Sequence, residues 1–117
     1  MDSAKAPLKR IILEMGTGNA LHSGDYTKAA KRAVLDAMHH SSITMFRSMN
    51  IDPESMQVEL IVAAQQPEMV DLAAVTELVP FGNVDAKAVK GGLDVVDETS
   101  GRPCVLVNAG VIVRVPL

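Results

Sequence analysis

The feature that most constrains the fold is an apolar strand pattern that is followed, after a glycine-bearing loop, by a helix with a stripe of small side chains. Residues 8–15 carry apolar groups on both alternating faces, which predicts a strand in the interior of a sheet. A helix is predicted from Tyr26 to about His40. Its stripe lets the helix lie close against the sheet, because the side chains there are short. The stripe consists of Ala30, Ala33, Val34 and Ala37.

The rest of the chain alternates between strand and helix patterns. A short helix is predicted at residues 72–79 with Asp71 as its N-cap, and residues 94–103 are polar and turn-rich. Within the last strand, residues 108–110 are typical of a bulge or a close approach. The order β-α-β-α-β-β ends in a hairpin and favours an α+β fold, a two-layer sandwich with helices on one face of a four-stranded mixed sheet. The other three predicted strands are residues 56–64, 83–90 and 105–115.

The sheet face away from the helices is predicted to be apolar as well. We expect Ile12, Ile61 and Ile112 on that face. Packing against another subunit is the simplest way to bury them. Aromatic residues make up only 3% of the chain and Trp is absent, so the core has little apolar area per residue. Because a core of this kind often gains stability by association, we expect a homo-oligomer.

Length and charge limit the other possibilities. A chain of 117 residues fits a single domain, residues 1–117, and we expect residues 1–7 to be disordered. The first 50 residues hold seven basic and four acidic side chains, and the remainder holds four basic and ten acidic ones. Opposite net charges in the two halves argue against a general nucleic-acid surface, so no nucleic-acid partner is expected.

The chain also has features that favour a cytoplasmic location. Its only cysteine, Cys104, excludes an internal disulfide and suits a reducing compartment. Residues 1–6 lack the apolar run of a signal peptide. The longest apolar stretch, residues 104–113, is far shorter than the ~20 residues that cross a bilayer, so no membrane partner is expected.

The residues with the greatest chemical potential lie in one stretch, residues 14–28. Glu14 falls on the predicted interior strand, where a carboxylate must be paired or protonated, and a structural ion pair explains it as well as catalysis does. Gly16 and Gly18 are expected to bring the backbone of a loop, residues 16–24, close to a ligand. Gly-Thr-Gly-Asn before a helix can form an anion-binding nest, although it is neither a dinucleotide fingerprint nor a P-loop.

These patterns give a set of candidate site residues. Glu14 and His22 are the acid–base candidates. Asp25 is also a natural helix N-cap, and Asp36 lies one turn before His40, so a structural role is an open alternative for Asp25 and His40. No pair of histidines has a recognised ligand spacing, so no metal site is predicted, and the cofactor is unknown. The ligand-binding candidates are Gly16, Thr17, Gly18, Asn19, Asp25, Lys28, His40, Lys90 and Asn108.

Several short motifs are distributed over nearly the whole chain. They are Glu14-Met-Gly-Thr-Gly-Asn19, Leu21-His22, Asp25-Tyr-Thr-Lys-Ala-Ala30, His39-His-Ser-Ser42, Lys90-Gly-Gly-Leu93 and Val107-Asn-Ala109. Together they resemble the hallmarks of a small family of conserved hypothetical proteins of about this length, which has no established activity. The resemblance implies a chorismate-mutase-like α+β fold, in the group that holds the C-terminal domain of tubulin-like division proteins. It also implies rings or trimers with clefts between subunits.

Two functions from different classes are compatible with these features. The first is a small cytoplasmic metabolic enzyme or small-molecule binding protein that takes an anionic metabolite at residues 14–28, at a subunit interface. Amides at the helix start, together with Lys28 and Lys90, would receive its carboxylate or phosphate. The alternative is a non-catalytic homo-oligomeric module in which the same residues satisfy one another. The polar residues in one loop exceed what helix capping needs, which favours the first.

Overall fold

The fold is built on one mixed five-stranded β-sheet with α-helices on one of its faces. The computed structural model describes residues 7–21, 23–39 and 50–116. The strands are β1 (Leu8–Ala20), β2 (Gln57–Ala64), β3 (Asn83–Lys90), β4 (Leu93–Val96) and β5 (Pro103–Pro116). The α-helices in these ranges are α1 (Tyr26–His39) and α2 (Leu72–Thr76), with 3-10 turns at Pro53–Ser55 and Pro67–Met69.

Strand β5 is the centre of the sheet because it pairs along both of its edges. Along one edge it runs antiparallel to β1 over almost its full length. Along the other edge it pairs antiparallel with β4 and then with β2, and β3 lies beyond β2 and parallel to it. The order β1-β5-β2-β3 makes β1 and β3 the outer strands.

Both helices pack on the same face of this sheet, which leaves the second face, here called the open face, without a helix among the described residues. Helix α1 lies on β1 and β5, and α2 contacts α1 and β3. The predicted small-residue stripe of α1 is confirmed, since its side chains are completely buried. The cap of α2 is also confirmed, because the Asp71 carboxylate accepts a hydrogen bond from the N–H of Ala74 at 3.2 Å.

The core lies between the helices and the alternate residues of the strands that face them. Strand residues point alternately to opposite faces, so one face takes every second side chain. Burial is provided by short aliphatic side chains, as the few aromatic residues predicted. The buried residues of β2 and β5 are Val58, Leu60, Val62, Ala64, Val105, Val107, Ala109, Val111, Val113 and Val115.

The α+β class and the mixed sheet are as expected, but the predicted number of four strands is wrong. Strand β4 lies in the segment that was expected to be irregular, and it forms the final hairpin with β5. The turn itself is confined to residues 97–102, where the N–H of Gly101 donates to the carbonyl of Asp97 at 2.7 Å. The tight connection from β3 to β4 uses Gly92, whose φ of +66° favours glycine.

Strand β1 also differs from its prediction. It continues past Met15 to Ala20, so the expected loop over residues 16–24 is wrong for its first five positions. The bulge expected at residues 108–110 is absent, because pairing with β1 is continuous there, and the register shift lies instead between Arg10 and Ile12. This shift places Ile12 on the buried helix side, while Leu13 and Met15 take the open face.

Some expectations concern positions outside the described ranges. The predicted disorder of residues 1–7 falls there, apart from Pro7, and so does the C-terminal end of the predicted first helix at His40. Within the described ranges, none of the helices has the length and apolar character that crossing a membrane requires.

The contact of α1 with β1 depends on two glycines that face the helix. A Cβ atom added to Gly16 would lie 2.4 Å from the backbone N of Ala37 and 2.5 Å from the carbonyl O of Ala33. A Cβ on Gly18 would lie 2.3 Å from the carbonyl O of Ala29. These glycines therefore serve close packing of helix on strand, and their part in binding a ligand stays a prediction.

We expect Gly16→Ala and Gly18→Ala each to lower the free energy of unfolding by about 1–3 kcal/mol or more, because the helix backbone must move away from the strand. Chemical denaturation measures this change at a protein concentration at which light scattering shows a single chain, so that association does not contribute. The matched control is Gly110→Ala on the open face, where a Cβ meets no atom within 4 Å. Its expected change is within about 0.5 kcal/mol. Equal losses at Gly16 and Gly110 would contradict the packing interpretation.

Candidate functional site

Side chains of α1 cover the outer edge of β1. The N–H of Thr17 donates to Oδ2 of Asp36 at 3.0 Å, and Nη1 of Arg32 donates to the carbonyl of Asn19 at 2.7 Å. Outer strands otherwise present such backbone groups unpaired to solvent. Sequence reasoning missed these contacts, although the spacing of four residues between Arg32 and Asp36, on the flank of the alanine stripe, was a usable signal.

The start of α1 is capped by a carboxylate. Oδ1 of Asp25 accepts a hydrogen bond from the N–H of Lys28 at 3.0 Å, and Oγ of Ser23 accepts one from the N–H of Asp25 at 3.4 Å. Asp25 therefore has the structural role that the sequence left open. A carboxylate therefore already occupies this end of the helix, and binding of an anion by the helix amides stays a prediction.

Two cations line a small cleft beside this cap. The cleft, here called the Lys28 cleft, has a volume of about 260 Å³ and lies between the end of β1 and the first two turns of α1. Lys28 and Arg32 contribute its charged groups, and no carboxylate belongs to the lining formed by the described residues. The remaining lining residues are Asn19, Ala20, Leu21 and Ser23. Of the predicted ligand-binding residues, Asn19 and Lys28 come together here.

A larger concavity, here called the Gly110 groove, lies on the open face. Its volume is about 530 Å³, within the ~300–1,000 Å³ range of small-molecule sites. Three predicted residues, Gly16, Thr17 and Asn108, belong to its lining. The described walls are mostly apolar, and the one charged side chain among them is the carboxylate of Asp36, so the groove does not select an anion.

The remaining predicted site residues are dispersed. Glu14 is half-buried on the helix side of β1, opposite Val111, and Lys90 ends β3 at the other side of the sheet. Three strand spacings of about 4.8 Å separate these two strands, so Lys90 cannot pair with Glu14. His22 and His40 lie outside the described residues, and their roles stay predictions. Within residues 7–21, 23–39 and 50–116, no three His, Cys, Asp or Glu side chains gather as a metal site would require.

A partly buried polar cluster that sequence reasoning missed joins α1 to β4. The hydroxyl of Tyr26 donates a short hydrogen bond to Oδ2 of Asp94, and Nε2 of Gln66 donates to the Tyr26 hydroxyl at 3.3 Å. Oδ1 of Asp94 is buried without a hydrogen-bond partner among the described residues. Burial, together with the hydrogen bond to Asp94, raises the pKa of Tyr26 above its ordinary value of 10.0. The cluster anchors the short strand β4 to the start of the helix.

The pKa of Tyr26 is directly measurable because the chain has one tyrosine and no tryptophan. We expect phenolate absorbance to titrate at higher pH in the folded protein than in the denatured chain. A raised folded pKa means that protonated Tyr26 stabilises the fold below the unfolded pKa of about 10. This contribution is lost as pH rises through the folded pKa, so the free energy of unfolding should fall there.

Tyr26→Phe is the control for this titration. It should remove the alkaline loss of stability that belongs to Tyr26 and cost about 1–3 kcal/mol at neutral pH, because the buried Asp94 carboxylate loses its donor. Identical titration midpoints in the folded and denatured wild-type chain would refute the buried cluster.

Comparisons with known proteins place the chain in a family. Residues 10–113 match a family described as "Conserved hypothetical protein (Lin0512_fam)". A similar solved structure is that of an FtsZ-like protein of unknown function from Nostoc punctiforme PCC 73102, determined at 1.22 Å resolution. The two chains share 29% identity with a TM-score of 0.82, over 96% of this chain and 99% of that chain. No curated protein matches. The match over residues 10–113 confirms the resemblance to conserved hypothetical proteins, and the chain belongs to the Lin0512_fam family.

Proposed function

We propose that the protein binds a small anion, a phosphate or a carboxylate, in the Lys28 cleft. The observation that carries this proposal is the placement of Lys28 and Arg32 one helical turn apart on the same cleft wall. Asn19 and Ser23 add hydrogen-bonding groups to the lining. Paired cations with polar neighbours and no carboxylate in the lining favour a negatively charged ligand over a neutral one.

Arg32 supports the proposal because its position is already fixed in the unliganded chain. One of its five N–H donors bonds the carbonyl of Asn19 at 2.7 Å, which holds the guanidinium at the rim of the cleft. A group fixed before binding loses less conformational entropy when a ligand arrives. The volume of about 260 Å³ suits a compact anion or the charged end of a larger metabolite.

Binding rather than catalysis is the function that this geometry favours. Glu14 lies five residues before Asn19 on the same extended strand, about 16 Å away, and cannot act on an anion held by Lys28. His22, between the strand and the helix, remains the proposed acid–base residue nearest to the cleft in sequence. The resemblance also implies clefts between subunits, and a site at a subunit interface is part of the proposal.

The second candidate function is the non-catalytic homo-oligomeric module. It is favoured by one specific observation, that the polar residues of this region bond to the chain's own backbone. Asp25 accepts from the N–H of Lys28, Asp36 accepts from the N–H of Thr17, and Arg32 donates to the carbonyl of Asn19. These internal hydrogen bonds account for the polar residues of this region without a ligand.

Phosphate and sulfate distinguish the two functions. We expect either anion to raise the melting temperature, since a ligand at ~100 times its dissociation constant stabilises the fold by about 2.7 kcal/mol. Sodium chloride at equal ionic strength is the solution control. Lys28→Gln should weaken phosphate binding by about ten-fold or more, because a hydrogen bond to a charged group contributes about 1.5–3 kcal/mol.

The matched variant is Lys31→Gln, which removes the same charge from the same helix at a residue outside the cleft lining. It should leave phosphate binding within about two-fold of wild type, because exposed charges outside a site contribute little. A melting temperature that no anion changes, or an equal loss in the two variants, would favour the homo-oligomeric module.

A further inference from the structure

The open face of the sheet is apolar across its middle and along β4. Met15 projects from it with 72% of its surface exposed, more than any other large apolar residue described. Monomeric proteins rarely expose apolar patches that run continuously over several strands. The principal apolar side chains of this face are Leu13, Met15, Ile61, Leu93, Val95 and Ile112.

The centre of this face combines a protrusion with a hollow. Gly110 forms the floor of the Gly110 groove, and a Cβ added there would meet no atom within 4 Å. Met15 lies directly opposite Gly110 across the β1–β5 pair, and Ile61 lies opposite it on β2. The flexible thioether of Met15 therefore lies beside a hollow that none of the described residues of its own chain fills.

We propose that the open face is an interface between copies of this chain, in which Met15 of one copy packs into the Gly110 groove of another. The two features are cross-strand neighbours, with Cα atoms about 5 Å apart. A two-fold axis between them brings each Met15 over the Gly110 of the other copy, so the surface is complementary to itself. Methionine suits this role because its unbranched side chain adapts to irregular hollows.

The size of the face matches what a stable interface needs. Each strand residue occupies about 16 Å² of sheet, and the five strands together present an outline of about 750 Å². Side-chain relief increases this area. A standard interface buries about 800 Å² on each partner, so the open face is sufficient without any contribution from the helices.

One group of charges on this face lies at one end and is paired within the chain, while Asp36, which lines the Gly110 groove, accepts from the N–H of Thr17. Glu59 accepts a hydrogen bond from Arg114 at 3.1 Å and has the ammonium group of Lys87 at 3.7 Å. The hydrogen bond from Arg114, with a smaller contribution from Lys87, lowers the pKa of Glu59. Because both cations lie beside the Glu59 carboxylate, these groups form a polar rim next to the apolar centre, which is the usual anatomy of a protein interface.

Association through the outer edge of β1 is less suitable than association through the face. Asp36 already accepts from the N–H of Thr17, and Arg32 already donates to the carbonyl of Asn19. A strand added at this edge would have to displace both side chains. The face is the surface that the chain leaves apolar and uncovered over the described residues.

Light scattering during size-exclusion chromatography of the full chain tests the interface. Wild-type protein at micromolar concentration should have a mass of at least two chains of 12.4 kDa each. Met15→Lys should raise the dissociation constant at least 100-fold, because the interface would have to bury an unpaired ammonium group. Gly110→Ile should also dissociate the assembly, because its side chain fills the hollow that receives Met15.

Met69→Lys is the matched control, since Met69 is 61% exposed and lies in a 3-10 turn that contacts α1, on the helix side of the sheet. It should leave the mass unchanged, and circular dichroism should show that all three variants are folded. A wild-type mass of one chain would overturn the proposal. So would an assembly that survives both Met15→Lys and Gly110→Ile, or one that Met69→Lys dissociates equally. None of these outcomes depends on anion binding at Lys28.

Discussion

The contact on which the rest of the structure depends is the close packing of α1 on β1. It is possible because glycines on the strand meet alanines on the helix, so that backbone approaches backbone with no side chain between them. This close approach of α1 to β1 has two consequences. It fixes which face of the sheet is covered, and it brings Arg32 and Asp36 within hydrogen-bond distance of the outer edge of β1. The packing of α1 on β1 therefore both covers the outer edge of β1 and forms the wall of the Lys28 cleft.

Glycine has opposite consequences on the two faces of this sheet. Gly16 faces the helix, and the missing side chain makes room for another part of the same chain. Gly110 faces away from the helices, and the missing side chain leaves a hollow that nothing described in the chain enters. The difference follows from strand alternation. Successive residues of a strand point to opposite faces, and residues paired across two strands point to the same face. Gly16 therefore faces the helix and Gly110 faces away from it. A glycine in a strand can thus indicate internal packing or an external site, depending on its face.

Candidate site residues that are close in sequence lie at different sites in this structure. Glu14, Thr17 and Asn19 fall within six residues, yet a strand separates them by face and by length. Glu14 points toward the helix layer, Thr17 borders the Gly110 groove, and Asn19 borders the Lys28 cleft. Conversely, Tyr26 and Asp94 are 68 residues apart and form a partly buried hydrogen bond. A stretch rich in polar residues forms one site only where its backbone folds back and brings the side chains together.

The sequence by itself determined the α+β class, the mixed sheet, the positions of three strands within about two residues, and the buried stripe of α1. These follow from local periodicity, which depends only on where each side chain points along its own element. It also determined the helix-capping role available to Asp25. What only the tertiary structure decided was the use of Gly16 and Gly18, the continuation of β1 to Ala20, strand β4, and the separation of the predicted site into two concavities. Each of these depends on a partner from elsewhere in the chain, namely the backbone of α1 or the full length of β5. A periodic pattern in the sequence shows that a side chain is apolar or small, but it does not show which part of the chain that side chain contacts.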